Sequence, residues 1–234
     1  MEQIYTIPVN EAFDAVIEHP ECGCPICVLY KKLQENELDI ILGASMMEPD
    51  IRIKTNEMGF CLTHYNMMLG RKRMLGLGLI MESHLAEVEK KLDGPTVLGN
   101  KRAAAKDALI KLESECYVCS RIEKNLNAMI ATICYLWETD PNFKRKFAKQ
   151  PWFCMPHYTA MLEYGSKKMP KKLYADFYDE AYTVQKRYMT ELKGDVSWFC
   201  KKFDYQFDKE PWYNSKDSVK RAIKFLGGSF GEEE

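Results

Sequence analysis

The 234-residue sequence is 46% hydrophobic and 29% charged, with 33 Lys and Arg against 34 Asp and Glu, which excludes a disordered chain and a whole-molecule field for nucleic acid. A chain of this length buries a sizeable core without disulfides. Its longest apolar run, Met74 to Met81 with two glycines inside it, is far short of the roughly 20 residues that cross a bilayer.

The N-terminus, MEQIYTIPVNEAFD, has no apolar stretch of signal length, so a cytoplasmic location with reduced cysteines is expected. Next in chain order, Cys24-Pro25-Ile26-Cys27 opens a helical segment. Ile26, Leu29, Leu33, Ile40 and Ile41 recur there mainly at three- and four-residue spacings or their sums, until Gly43. Pro49-Asp50-Ile51 precedes Gly59-Phe60-Cys61-Leu62-Thr63-His64, after which come Tyr65, Met68 and Leu69. A long amphipathic helix carrying Leu77, Met81, Leu85, Val88 and Leu92 then ends at Gly94. Asp93 to Asn100 is the expected linker, and Lys101 to Leu112 a helix leading into Cys116-Tyr117-Val118-Cys119.

The second half repeats the plan. Ile122, Leu126, Met129, Ile133 and Trp137 form a helical stripe, and Asp140-Pro141 starts a short helix. Trp152-Phe153-Cys154-Met155-Pro156-His157 is followed by Tyr158, Met161 and Leu162, and a long helix shows Leu173, Phe177, Ala181, Val184, Tyr188 and Leu192 before Gly194. Both halves read CxxC, a gap, FCxxHYxxML, with 33 residues between Cys27 and Cys61 and 34 between Cys119 and Cys154. No useful strand alternation occurs, so the chain is all-α: a duplicated helical unit, 1–94 and 95–194, forming a helical bundle. From 195 to 234 the repeat stops. Trp198, Phe199, Phe203, Tyr205, Phe207, Trp212 and Tyr213 suggest an aromatic strap over the bundle. A final helix comes after it, capped by Asn214 or Ser215 and bearing Val219, Ile223 and Leu226. The three parts are expected to pack as one body.

Paired ligands two residues apart let one turn aim both side chains at a single ion, and a second pair completes a tetrahedron. The repeat assigns Cys24, Cys27, Cys61 and His64 to one site and Cys116, Cys119, Cys154 and His157 to another, each complete within its own half. Three thiolates and an imidazole suit Zn²⁺, about two ions per chain. Such a site carries a net charge of −1, which Arg71-Lys72-Arg73, or the eight Lys and Arg against the single Glu163 in 144–172, stand ready to offset. The same cysteines allow an alternative, an iron–sulfur cluster or disulfide exchange. A further alternative is a helical cavity for a small ligand, lined by some of the 13 methionines and the tail aromatics.

The remaining residues have blander readings. Cys134 and Cys200 are expected as core thiols, and Cys22, with no counterpart in the second half, stays outside the ligand set. His84 is a partly buried structural histidine and His19 a helix-end residue. Motifs for covalent haem, zincin, serine-hydrolase, P-loop and Rossmann chemistry are missing from the sequence. The residues three before the four histidines are Val16, Cys61, Met81 and Cys154, which rules out the ExxH pairs of a ferritin-like di-iron site.

The paired CPxC and FCxxH segments, with Lys202-Phe203-Asp204-Tyr205 and the closing Ser218-Val219-Lys220-Arg221-Ala222-Ile223 helix, resemble an uncharacterised family of bacterial cytoplasmic proteins of the Firmicutes type. Its members are sometimes labelled ABC-transporter substrate-binding proteins, a label at odds with a chain that has no export signal and no α/β pattern. Tyr117 stands where the CPxC pattern has proline. The resemblance implies no activity. The sequence therefore points to a non-catalytic zinc-binding helical protein with structural metal sites and a protein partner, not to a nucleic-acid or membrane binder.

Overall fold

The structure, a computed structural model, describes residues 5–43, 47–94 and 101–228. Among these it contains eleven α-helices and no strand. They are α1 (Thr6–Glu18), α2 (Pro25–Ile41), α3 (Pro49–Met58), α4 (Leu62–Gly70), α5 (Met74–Asp93), α6 (Lys101–Ser114), α7 (Tyr117–Thr139), α8 (Pro141–Ala148), α9 (Met155–Lys168), α10 (Lys171–Lys201) and α11 (Ser218–Gly227). The order is periodic, since α1 to α5 and α6 to α10 follow one plan of five helices. Pro25, Pro49 and Pro141 stand at first helical positions, where a missing N–H leaves nothing unpaired. Among the described residues no helix is long and apolar enough to cross a membrane.

The chain divides into two compact units, Met1–Lys31 with Leu126–Glu234, and Lys32–Asn125. The divisions fall inside α2 and α7, the equivalent helices of the two repeats, so each unit takes the start of one repeat and the end of the other.

The first unit is built on aromatic rings. Phe13 of α1 meets Phe143 of α8 at 4.8 Å between ring centroids, Phe147 meets Phe153 at 5.0 Å, and Trp137 of α7 meets Phe177 of α10 at 5.1 Å. All six are buried, and each contributes of order 1.5–3 kcal/mol by leaving water. Trp137 Nε1–H donates to Glu180 at 3.1 Å, which pairs the one polar atom that this cluster encloses. The second unit has a more polar seam. Arg52 of α3 donates to Leu79 O at 2.7 Å, Ser83 to Asn56 Oδ1 at 2.9 Å, and His84 Nδ1 lies 3.1 Å from Asn56 O. His84 is thus a buried structural histidine, as its place in the sequence suggests.

Several expectations need correction. On α5 the buried face runs through Leu77, Ile80 and His84, while Leu85 and Leu92 are exposed, because α3 binds α5 through that polar seam. Ile40 is likewise exposed at the end of α2. Gly94 does end α5, with φ +70°, but Gly194 lies inside α10, which runs on to Lys201 and carries Trp198 and Phe199 as helical residues. The strap folds on itself: Lys202 Nζ donates to Phe207 O, Asp208 O and Glu210 O at 2.6, 2.8 and 2.7 Å, while Phe203, Tyr205 and Tyr213 are exposed. Neither Asn214 nor Ser215 caps α11. Asn214 donates to Asp195 and Ser215 to Trp212 O, and Asp217 occupies the cap position. The buried face of α11 holds Ser218 and Phe225, so Val219, Ile223 and Leu226 point outward. Most of the expected linker, 95–100, lies outside the described residues.

Candidate metal centres

All four ligand motifs share one local geometry. Cys61 and Cys154 occupy the cap positions of α4 and α9 with φ/ψ of −72°/160° and −66°/152°. Cys24 and Cys116 immediately precede α2 and α7. In each motif the carbonyl of the first cysteine accepts the N–H four residues on, at 3.2 Å (Val28), 3.0 Å (Tyr65), 3.0 Å (Ser120) and 2.8 Å (Tyr158). The second ligand of each pair therefore lies in the first helical turn beside the first. A cysteine stands where Ser, Asp or Asn is the usual cap, at the positive end of the helix dipole.

The eight residues converge in two quartets, and their pairing corrects the one expected from sequence. Cys24 and Cys27 join Cys154 and His157, while Cys116 and Cys119 join Cys61 and His64. Each CxxC is completed by the CxxH of the other repeat, and each quartet lies within one compact unit. The reason is visible in the packing: α1 and the start of α2 belong to the same unit as α8 to α10, and the start of α7 to the same unit as α3 to α6. Cys22 stands outside both quartets, and Cys134 is a buried thiol as expected, but Cys200 is exposed on α10 rather than in the core.

Within each quartet the donor atoms all lie within 4.8 Å of one another. In the first centre His157 Nδ1 is 3.7, 3.4 and 3.2 Å from the sulfurs of Cys24, Cys27 and Cys154, and Cys27 Sγ is 3.6 Å from Cys154 Sγ. In the second, His64 Nδ1 is 3.2, 3.3 and 3.4 Å from Cys61, Cys116 and Cys119, and Cys61 Sγ is 3.9 Å from Cys119 Sγ. Bond lengths of about 2.3 Å to sulfur and 2.05 Å to nitrogen, set at tetrahedral angles, place sulfurs about 3.8 Å apart and sulfur and nitrogen about 3.6 Å apart. Both quartets match that frame. A disulfide, at about 2.05 Å, is far shorter than either sulfur separation.

The centres differ in exposure. The four residues of the first are buried, whereas in the second His64 and Cys116 are buried, Cys61 is half-buried and Cys119 is exposed. In the first, burial pushes the Cys24 thiol well up, with hydrogen bonds to Cys154 and Cys27 adding to it. Cys27 is drawn strongly down by hydrogen bonds from Cys154 and Cys24. A hydrogen bond with Cys24 lowers Cys154, but its bond to Cys27 and its burial outweigh this and raise it to about 12. Three thiolates so close together require a cation. In the second centre Cys119, although exposed as a residue, is pushed up chiefly by partial desolvation of its sulfur, with Cys116 and Cys61 adding to it.

Three of the basic residues that the sequence offered as a counterweight are paired elsewhere. Arg71 and Arg73 pair with Asp39, at 2.7 and 3.9 Å, and Lys146 pairs with Asp14 at 2.7 Å. Instead two helix N-termini meet at each centre, α2 with α9 and α4 with α7. At about +0.5 charge each, they match the −1 of a three-thiolate zinc site.

Supporting residues escaped the sequence reading. Buried Gln185 of α10 brackets the residue before Cys154, its Oε1 accepting Phe153 N–H at 3.2 Å and its Nε2 donating to Phe153 O at 2.8 Å. Buried Gln34 lies 3.1 Å from His64 Nε2. A polar residue within an apolar helix face was the available signal for both. Tyr117, the departure from CPxC, has a use: its N–H donates to Gly59 O at 3.0 Å, and Gly59 holds φ/ψ of +60°/−158° two residues before Cys61. In the first centre the matching positions are Pro25, which has no N–H, and Trp152, which packs against Gly23.

A family model described as a family of unknown function (DUF6062) matches residues 1–233, in keeping with the resemblance to an uncharacterised family. No curated protein and no solved structure matches the chain.

Proposed function

We propose, for a chain that belongs to the family of unknown function DUF6062 and takes no activity from it, that the protein is a non-catalytic zinc protein. Each quartet holds one Zn²⁺, fastening helix starts of the two repeats together, and the metal-pinned helical scaffold serves a protein partner. The observation that carries this reading is the spacing of the donors, sulfur to sulfur at 3.6 and 3.9 Å and sulfur to Nδ1 at 3.2–3.7 Å, which is the frame of one tetrahedral ion. Three soft sulfurs with one imidazole favour Zn²⁺ among divalent ions. Four protein ligands leave no coordination position for a substrate, the mark of a structural site. What counts against an iron–sulfur cluster is the compactness of the donors, since a cluster spreads its thiolates over separate irons.

Elemental analysis of protein purified without oxygen tests the reading. The expected result is about two zinc ions per chain and a colourless solution. Iron with visible absorbance, or metal-free protein that folds and melts normally, contradicts it.

A further inference from the structure

We infer that the second centre is an oxidisable, metal-releasing site, in which Cys119 meets the oxidant and Cys61 closes a disulfide with it, while the first centre is inert. The inference rests on the zinc reading above. Its basis is the unequal burial of two otherwise equivalent quartets. Cys119 is exposed and Cys61 half-buried, with their sulfurs 3.9 Å apart, whereas His64 and Cys116 lie buried beneath them. In the first centre Cys24, Cys27, Cys154 and His157 are all buried, so an oxidant in water has no sulfur to attack. Coordination to the ion would hold the sulfurs of the second centre as thiolates, the nucleophilic form.

With hydrogen peroxide as the oxidant the chemistry balances. The Cys119 thiolate attacks one peroxide oxygen, the O–O bond breaks, and sulfenic acid and hydroxide form. The Cys61 thiolate then attacks that sulfur, the S–S bond forms, and a second hydroxide leaves. Two protons turn the hydroxides to water, so two thiolates lose two electrons and peroxide gains them. Bringing the sulfurs from 3.9 Å to bonding distance needs about 2 Å of movement, divided between an exposed and a half-buried side chain. Cys116 and His64 would then remain as two of the four ligands, too few to hold the ion in a closed tetrahedral site.

The test uses the full chain with Cys22→Ser and Cys200→Ser, which remove the exposed thiols outside both quartets. Zinc is counted before oxidation. Peroxide is then added, released zinc is followed with a chromogenic chelator, and disulfides are mapped by mass spectrometry. The expected result is release of one zinc of two per chain, a Cys61–Cys119 disulfide, unmodified Cys24, Cys27 and Cys154, and rebinding after reductant and zinc are restored. Two ions present but none released, both released together, or a disulfide confined to Cys116 and Cys119 overturns the inference alone. A chain with no zinc before peroxide overturns the zinc reading and this inference with it.

Discussion

Gln185 holds the first centre without being a ligand. Its amide pairs both backbone groups of Phe153, and Phe153 leads directly into Cys154. Gln185→Leu keeps the volume but leaves a buried N–H and a buried C=O unpaired, at about 1–3 kcal/mol each. The expected outcome is a loss of about 2–5 kcal/mol in denaturant unfolding, with the ion of the first centre passing faster to a chelator while that of the second is unchanged. Gln34→Leu acts on the other centre through His64 Nε2, and losing a support of this kind weakens zinc there about 10–100-fold in chelator competition. The titration of the first centre gives a third expectation. Cys24 and Cys154 are raised, so an arriving ion displaces thiol protons. Apparent affinity then rises with pH between 6 and 8, and a competition titration across that range checks the direction.

At the scale of elements, two glycines in different backbone settings should respond in opposite directions. Gly59 ends α3 in a region of φ/ψ open almost only to glycine, and an added Cβ meets His84 at 3.0 Å. Gly59→Ala should cost about 1–3 kcal/mol and loosen the approach to Cys61. Gly194 lies inside α10 with nothing within 4 Å of an added Cβ, so Gly194→Ala should stabilise by about 0.5–1 kcal/mol. Thermal melts of the pair decide between a cap and a helical interior at each site. Leu-x-Gly occurs at both Gly94 and Gly194, yet only Gly94 takes a positive φ. The residues after Gly194 make the difference: Trp198 and Phe199 continue an amphipathic helix and pack against the strap, Trp198 meeting Phe207 and Phe199 meeting Trp212. On α5 and α11 the sequence showed a helix correctly but its buried face wrongly. Apolar periodicity cannot see a polar seam such as Ser83, His84 and Asn56, nor a helix whose inward side is Ser218, Arg221 and Phe225.

For the whole molecule, helical class and the eight Cys and His residues that gather in two quartets were legible because they are local patterns; the partnership between motifs was not. Cys27 is 34 residues from Cys61 but 127 from Cys154, which it meets. Loop-closure entropy favours the nearer partner by only about 1 kcal/mol, since it grows with the logarithm of length. The cluster of Phe13, Phe143, Phe147 and Phe153, which binds α1 to α8 and the approach to α9, outweighs that difference. Each quartet accordingly joins the beginning of one repeat to the end of the other, and if it holds a structural ion, chelation should lower the melting temperature markedly, because binding energy at such a site is folding energy.

The crossed pairing is tested most directly by counting chelator-resistant zinc in two double variants. Cys24→Ser with Cys154→Ser damages one quartet twice, whereas Cys24→Ser with Cys61→Ser damages both quartets once. The crossed arrangement predicts one zinc retained in the first variant and none in the second. The reverse, no zinc in the first and one in the second, would mean that each repeat carries its own complete site and would contradict the account.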